Sequence, residues 1–385
     1  MDFELTDEQR DIQRAAREFA QGEFDRELAL ELERNHAFPK SIWKKACELG
    51  FIGLHFPAAY GGQGLGILEN ALVVEGFCRQ DSGIGVALTL ADFSSEVILR
   101  FGTEAQKRKY LPPITRGEAI SAGAYTEPDH GSDITRLSTT AIRKGEEFVI
   151  NGTKTFITNG TLADHFVVLC HTNPEADPPY RGMCTILVEK GTPGFQATEL
   201  GDKMGIRMTS TAELSFSDVH VPLENLIGEE NRGFYQVLEF FDESRIEIAA
   251  QALGIAQGAF DRALAYAKER RQFGQRIADF QVTQHKLADM YTKIETARLL
   301  TYKAAWNFDR GRIDPRLTAM AKMHAGRVSV EVADEAIQIF GGYGYITEYE
   351  VERFYRDTKI MEIYEGTREI QKNTIASSLI GKTKG

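Results

Sequence analysis

The 385-residue sequence predicts an α+β fold in three consecutive parts: an all-α N-terminal domain over 1–120, a middle β-domain of barrel or sandwich type over 121–225, and a C-terminal four-helix bundle over 226–385. Three observations carry this reading. The first part places apolar residues at helical spacing. From Ser138 to Val221 the chain is rich in Thr, Val, Ile and Phe, with turn residues at short intervals. After Pro222 it returns to long stretches with the spacing of helices.

The elements follow in order. Asp7 to Gln21 repeats Ile12, Ala15, Ala16 and Phe19 on one helical face. Pro39 opens a second helix, PKSIWKKACELG, and Gly50 closes it. YGGQGLG at 60–66 is a glycine-rich turn, and the apolar run Gly85–Phe101 reads as one buried helix. In the β-domain, KGEE (144–147) and Asn151-Gly152 are hairpin signals. HFVVLCH (165–171), CTILVEK (184–190) and AELSFSDVHV (212–221) read as strands, and the three prolines of HTNPEADPPYRG (171–182) mark a surface loop. Arg245–Glu269, Gln281–Arg310 and Arg316–Phe340 are three long helices, with a shorter one at the C-terminus.

Composition narrows the function. Lys plus Arg number 45 against 56 Asp plus Glu, a net charge of −11 that disfavours an extended nucleic-acid-binding face. No apolar run is long enough for a membrane span. The start, MDFELTDEQRDIQ, lacks the basic and apolar segments of a leader, so no targeting segment and a cytoplasmic location are expected. Cys47, Cys78, Cys170 and Cys184 have no metal-ligand spacing; buried thiols and no metal site are expected. GxGxxG, Walker A, HExxH and GxSxG motifs are absent, which removes support for a nicotinamide Rossmann enzyme, a kinase, a zincin and an α/β-hydrolase.

Several stretches in one order resemble the flavin-dependent acyl-CoA dehydrogenase family: YTEPDHGSD (125–133), NGTKTFITNG (151–160), RRQFG (270–274) followed by Phe280-Gln281, QIFGGYG (338–344) and IYEGT (363–367). The resemblance implies FAD as cofactor and a homotetramer with FAD at subunit interfaces. It implies a flavin site made by Tyr125, Thr126, Gly131, Ser132, Phe156, Ile157 and Thr158. Arg270, Phe273, Gln281, Gln338, Gly341 and Gly342 would reach the cofactor's adenine half from a neighbouring subunit, and Thr367 and Glu369 complete the set. An arginine fork suits a pyrophosphate, and glycines let backbone amides approach it. At 130 the family usually has a small residue; here His130 is expected to face solvent. Phe156 stands where many relatives carry Trp and keeps the aromatic face.

The reaction the resemblance implies is the dehydrogenation of β-oxidation: Cα loses a proton, Cβ loses a hydride to flavin N5, and electrons pass to an electron-transfer flavoprotein. Glu365 matches the base, with Ile363 and Tyr364 expected to shield it from water and the Gly366 amide to bind the thioester oxygen. Ser132, Asp242, Arg245 and Gly366 are the implied substrate contacts, although by itself Arg245 reads as a salt bridge at a helix start. Relatives with the base on the helix near 245 have it at a position occupied here by Ser244, which cannot serve. Relatives that process a glutaryl chain carry an arginine near 85; Gly85 disfavours a dicarboxylic substrate and, with the bulky Phe93, suits a short, compact or cyclic acyl group.

Asp92 departs from the family's usual serine and stands in a long apolar stretch. One reading makes it the cap of a helix break or the partner of a basic side chain. Another makes it a second catalytic carboxylate, binding a hydroxyl or taking a γ-proton from a cyclic enoyl-CoA while a hydride leaves, a 1,4-elimination that yields a conjugated diene. Two more functions compete with a dehydrogenase, an acyl-CoA oxidase and a non-catalytic acyl-CoA-binding scaffold. The chain is short for the former, and intact Glu365 and Thr158 speak against the latter.

Overall fold

The computed structural model describes residues 4–381. Seven helices come first: α1 (Asp7–Glu23), α2 (Arg26–Arg34), α3 (Lys40–Glu48), α4 (Ile67–Gln80), α5 (Ser82–Thr89), α6 (Ser95–Phe101) and α7 (Glu104–Thr115). Thr6 opens α1 with a capping box closed by Gln9, and Thr103 does the same for α7 with Gln106. The run expected to be one helix from 85 to 101 is two, because residues 90–94 leave the helix and Ser94 takes a left-handed conformation (φ 73°). That break carries Asp92.

Eight strands form the middle sheet: β1 (Ser121–Ala124), β2 (Thr140–Lys144), β3 (Glu147–Thr158), β4 (His165–His171), β5 (Met183–Glu189), β6 (Phe195–Glu199), β7 (Thr211–Pro222) and β8 (Leu226–Ile227). Their order is β6-β7-β3-β2-β4-β5-β8, with β1 parallel to β4. A single residue pair, Thr140 with His171, joins the β2 and β4 edges. The Gly145-Glu146 turn makes the β2–β3 hairpin that KGEE signals. Asn151-Gly152, by contrast, makes no turn. It lies within β3 at a register shift against β7, where Asn151 exchanges hydrogen bonds with Asp218.

The last part holds α8 (Gly233–Glu269), the small ribbon β9 (Arg271–Gln272) and β10 (Gln275–Arg276), α9 (Gln281–Asp309), α10 (Pro315–Phe340), α11 (Val351–Thr358) and α12 (Arg368–Ile380). Helix α8 starts twelve residues before the expected Arg245, because FYQVLEFFDESR continues the helical face. Asp242 and Arg245 therefore sit inside a helix and not at its start.

Two apolar clusters hold the molecule together. One joins α1–α7 to the sheet; the other joins α4 and α5 to α8–α11, so the N-terminal helices belong to both. A buried ion pair between Arg353 of α11 and Asp81 (2.5 Å), the residue that caps α5, pins the two helical parts. All four cysteines are buried, and among the described residues no cluster suits a metal and no helix is long and apolar enough to cross a membrane.

Candidate active site

Between α11 and α12 the chain makes a tight turn around Glu365. Glu365 has φ 53° and Gly366 has φ 91°. The left-handed region costs a non-glycine residue roughly 1–2 kcal/mol, and at 366 a Cβ would also lie 2.6 Å from the Gln371 amide nitrogen. Thr367 then caps α12, and Glu369 lies exposed in its first turn. The Glu365 carboxylate points at α8, where Ser244 Oγ donates to Oε2 at 2.6 Å. Ser244 is thus the hydrogen-bond partner of Glu365. Burial raises the pKa of Glu365, while Ser244, Arg245 and Lys322 oppose the rise. Of the expected shields, Tyr364 donates its hydroxyl to Gln251 Oε1 (2.6 Å), whereas Ile363 is 49% exposed.

A set of buried acids lies beside this turn. Asp92, in the break between α5 and α6, accepts from the Gly53 amide at 3.2 Å. Glu96 and Glu243 flank His55 Nε2 at 3.3 and 3.8 Å, and Arg100 pairs with Glu243. Burial pushes Asp92, Glu96 and Glu243 each up to about 7. Glu247, one turn along α8, is raised further by burial and by repulsion from Asp92, Glu96, Glu243 and Glu365. Asp92 and Glu365 share no hydrogen bond, and Glu96 and Glu247 stand in the field of both. At Gly85 a Cβ would meet the Cys78 backbone at 2.6 Å, so position 85 packs against α4. Phe93 is half-buried against Phe240.

Of the residues expected around the flavin, Phe156 is the most telling. It sits at the second register shift of β3, takes φ 56°, and leaves its ring 69% exposed. Ile157 is buried beneath it and Thr158 half-buried. A strained backbone that holds an aromatic ring in the open fits a flat apolar ligand. The loop before it is anchored by Glu127, which receives Lys154 Nζ (2.9 Å) and the Ser138 and Thr139 amides. Gly131 and Ser132 stand exposed at its tip, Thr126 is half-buried, and His130 is half-buried, not open as expected. The Tyr125 ring is turned into the core, bonded to Ser94 Oγ at 2.7 Å, so its side chain offers nothing to a ligand.

Arg270, Gly341 and Gly342 come together elsewhere, around a cavity of about 470 Å³ at the junction of α8 and α10. No carboxylate among the described residues pairs with Arg270, whose guanidinium lies 5.3 Å from the Tyr343 ring. Nothing stands within 4 Å of where a Cβ would project at Gly341 or Gly342, which leaves open backbone for a phosphate. Phe273, at the β9–β10 tip, is 94% exposed, and Gln281 at the start of α9 and Gln338 near the end of α10 are also exposed. These residues fit FAD, in two groups: β3 packs in the sheet, whereas the Arg270 cavity belongs to the bundle.

Asp242 lies 3.7 Å from Arg245, and both side chains are largely buried. Arg245 Nε has no hydrogen-bond partner among the described residues. Two site residues had no sequence signal as such. Lys322 and Gln371 hold the carbonyls of the turn at 364–366, Lys322 those of Tyr364 (2.6 Å) and Gly366 (2.7 Å). A lysine in the apolar stripe of α10 was the available clue.

Three family models match in chain order: the acyl-CoA dehydrogenase N-terminal domain at 6–118, middle domain at 122–219 and C-terminal domain at 231–380. The chain belongs to the acyl-CoA dehydrogenase family, whose members are FAD-dependent oxidoreductases. It is 43% identical to the short-chain-specific acyl-CoA dehydrogenase of Clostridium acetobutylicum, over 98% of this chain and 100% of that one. It is 43% identical to the acryloyl-CoA reductase (NADH) of Anaerotignum propionicum, over 99% of this chain and 96% of the relative. Among solved structures, a chain in that of the electron-transferring flavoprotein of Acidaminococcus fermentans superposes with a TM-score of 0.95 at 44% identity, covering 99% of this chain and 100% of its own.

Proposed function

We propose that this protein dehydrogenates a short or compact acyl-CoA thioester across Cα and Cβ to the trans-enoyl-CoA, with Glu365 as the base for the Cα proton. The observation that supports this reading best is the Glu365 carboxylate, half-buried, raised in pKa by loss of hydration and held by Ser244 at 2.6 Å. A thioester Cα–H is a weak acid, so a desolvated base gains strength by staying poorly hydrated until it takes the proton. The Gly366 amide, on the same rigid turn, is the donor for the thioester oxygen, where enolate charge develops. Asp242, Arg245 and Ser132 are assigned to the CoA portion. Bound FAD supplies the acceptor for the hydride leaving Cβ.

Phe156, Ile157, Thr158, Thr126, Gly131 and Ser132 would hold the flavin half of FAD, with only the backbone of Tyr125 available beside them. Arg270, Phe273, Gln281, Gln338, Gly341 and Gly342 would hold the adenine half of FAD bound to a second copy, with Thr367 and Glu369 beside the turn. The separation of these groups into different packing units supports a site shared between copies, and hence an oligomer, for which the homotetramer implied by the family resemblance is the proposed form. An electron-transfer flavoprotein is the proposed redox partner, a reading supported by the likeness to the Acidaminococcus fermentans structure.

Anaerobic mixing of the yellow holoenzyme with linear, branched and cyclic acyl-CoAs tests the reading. Flavin bleaching by a short acyl-CoA, abolished in Glu365→Gln, is the expected result; a Glu365→Gln enzyme as active as the parent on every thioester rules it out. A second reading rests on Asp92, buried and raised to about 7 within the same group of acids. As base toward Cγ of a cyclic enoyl-CoA it would give a 1,4-elimination. An Asp92→Asn enzyme with unchanged turnover on cyclic and linear substrates removes that second reading.

A further inference from the structure

Helix α10 presents one stripe to the segment that leads into the base turn. Ser329 Oγ meets Thr358 Oγ1 at 2.5 Å, and a Cβ at Gly326 would stand 2.6 Å from the Met361 carbonyl. One turn earlier on the same stripe, Lys322 is only 1% exposed. Lysine is seldom buried without a carboxylate partner, and no acid lies within ion-pair distance of Lys322 among the described residues. Its ammonium donates instead to the carbonyls of Tyr364 (2.6 Å) and Gly366 (2.7 Å). Gln371 Nε2 donates to the carbonyls of Glu365 (2.9 Å) and Gly366 (3.0 Å). Three successive carbonyls of a left-handed turn are therefore held by two side chains.

We infer that Lys322 is the positioning residue of the base. Its two hydrogen bonds clamp the turn that sets the direction of the Glu365 carboxylate and of the Gly366 amide, and its charge favours the ionised carboxylate. The inference rests on Glu365 being the base and adds the device that keeps that base usable in a site rich in acids. The groups that face Glu365 are Ser244, Arg245 and Glu247 from α8, Glu96 from α6, Tyr125 from the loop after β1, Tyr364 and Lys322. Those that face Lys322 are Glu365, Arg245 and Glu362. Burial brings Lys322 itself down to about 7, so its charge is lost as pH rises through neutrality, while a neutral amine can still donate to both carbonyls.

Lys322 lowers the pKa of Glu365, so removing it raises that pKa. Holoenzymes carrying Lys322→Met, Lys322→Arg, Gln371→Leu and Glu365→Gln are compared by the pH dependence of flavin reduction, with FAD content and acyl-CoA Kd measured alongside. Lys322→Met is expected to lower the rate at pH 7 at least tenfold and to move the acid limb of the profile upward by about one unit. FAD content and Kd should stay within threefold. Lys322→Arg should return the limb toward that of the parent. Gln371→Leu, which loses hydrogen bonds and no charge, should lower the rate with the limb unmoved, and it serves the test if Lys322→Met does not fold. A parental rate and limb in Lys322→Met beside an inactive Glu365→Gln would overturn the inference and leave the base intact. So would a limb that moves as far in Gln371→Leu as the charge loss requires. A fully active Glu365→Gln would overturn both.

Discussion

Removal of the Ser244 hydroxyl isolates one contribution to the titration of Glu365, the proposed base. The Ser244→Ala change deletes a 2.6 Å hydrogen bond to Glu365 Oε2 and creates no new charge. A hydrogen bond to a charged acceptor contributes about 1.5–3 kcal/mol. Part of that survives in the protonated carboxyl and part is replaced by water, so a net loss of ~1.5 kcal/mol is the working figure, or about one pKa unit. The bond favours the ionised form, so its loss raises the pKa of Glu365, which burial has already lifted. Below the acid limb the variant should be about tenfold slower than the parent, and well above it the two should converge. Single-turnover flavin reduction across the pH range reads both regions, and FAD content checks that the site is loaded. A limb that stays in place with the rate lowered equally at every pH would show that Ser244 only packs, and would refute the electrostatic reasoning.

Three further substitutions probe the same geometry. Phe156→Ala should leave the thermal stability of the flavin-free protein unchanged, because the ring is 69% exposed, and should increase FAD loss on gel filtration. Arg353→Met leaves Asp81 buried without its partner and should destabilise by about 3–5 kcal/mol, read as a lower denaturation midpoint. For Asp92, burial puts the folded-state pKa near 7 against an ordinary 3.8. Between those values the folded chain keeps a proton that the unfolded chain releases, so this group's contribution to stability is present at low pH and falls as pH climbs toward 7. Asp92→Asn should therefore melt higher than the parent at pH 8, by ~2 °C or more, and level with it at pH 4; an equal melting point at both pH values would count against a raised Asp92.

The three-part architecture was legible because each part has its own pattern, a helical period in α1 and α10 and a short continuous apolar run in the strand that reads HFVVLCH. Local exceptions were not. The break at 90–94 hides in an apolar run, since burial alone does not distinguish one helix from two. Asn151-Gly152 carries the chemistry of a turn, and pairing on both sides of β3 converts it to a bulge. The motif residues Glu365, Phe156 and Gly341 were visible as a pattern, whereas their physical environment was not. Glu243, Glu247 and Gln251 are spaced like a solvated helix face, yet in α8 Glu243 and Gln251 are buried and Glu247 is half-buried. Gly85 adds a packing constraint that the sequence did not show, since a Cβ there would meet the α4 backbone.

Proton exchange at Cα tests the assignment of the base most directly. A thioester analogue with sulfur in place of Cβ can ionise at Cα and has no hydride to give, so its Cα–H/D exchange in D₂O, followed by NMR on the holoenzyme, reports on the base alone. Rapid exchange on the parent and at least ~10³-fold slower exchange on Glu365→Gln, with analogue affinity preserved, is the predicted result. Exchange at the parental rate without the 365 carboxylate would contradict it.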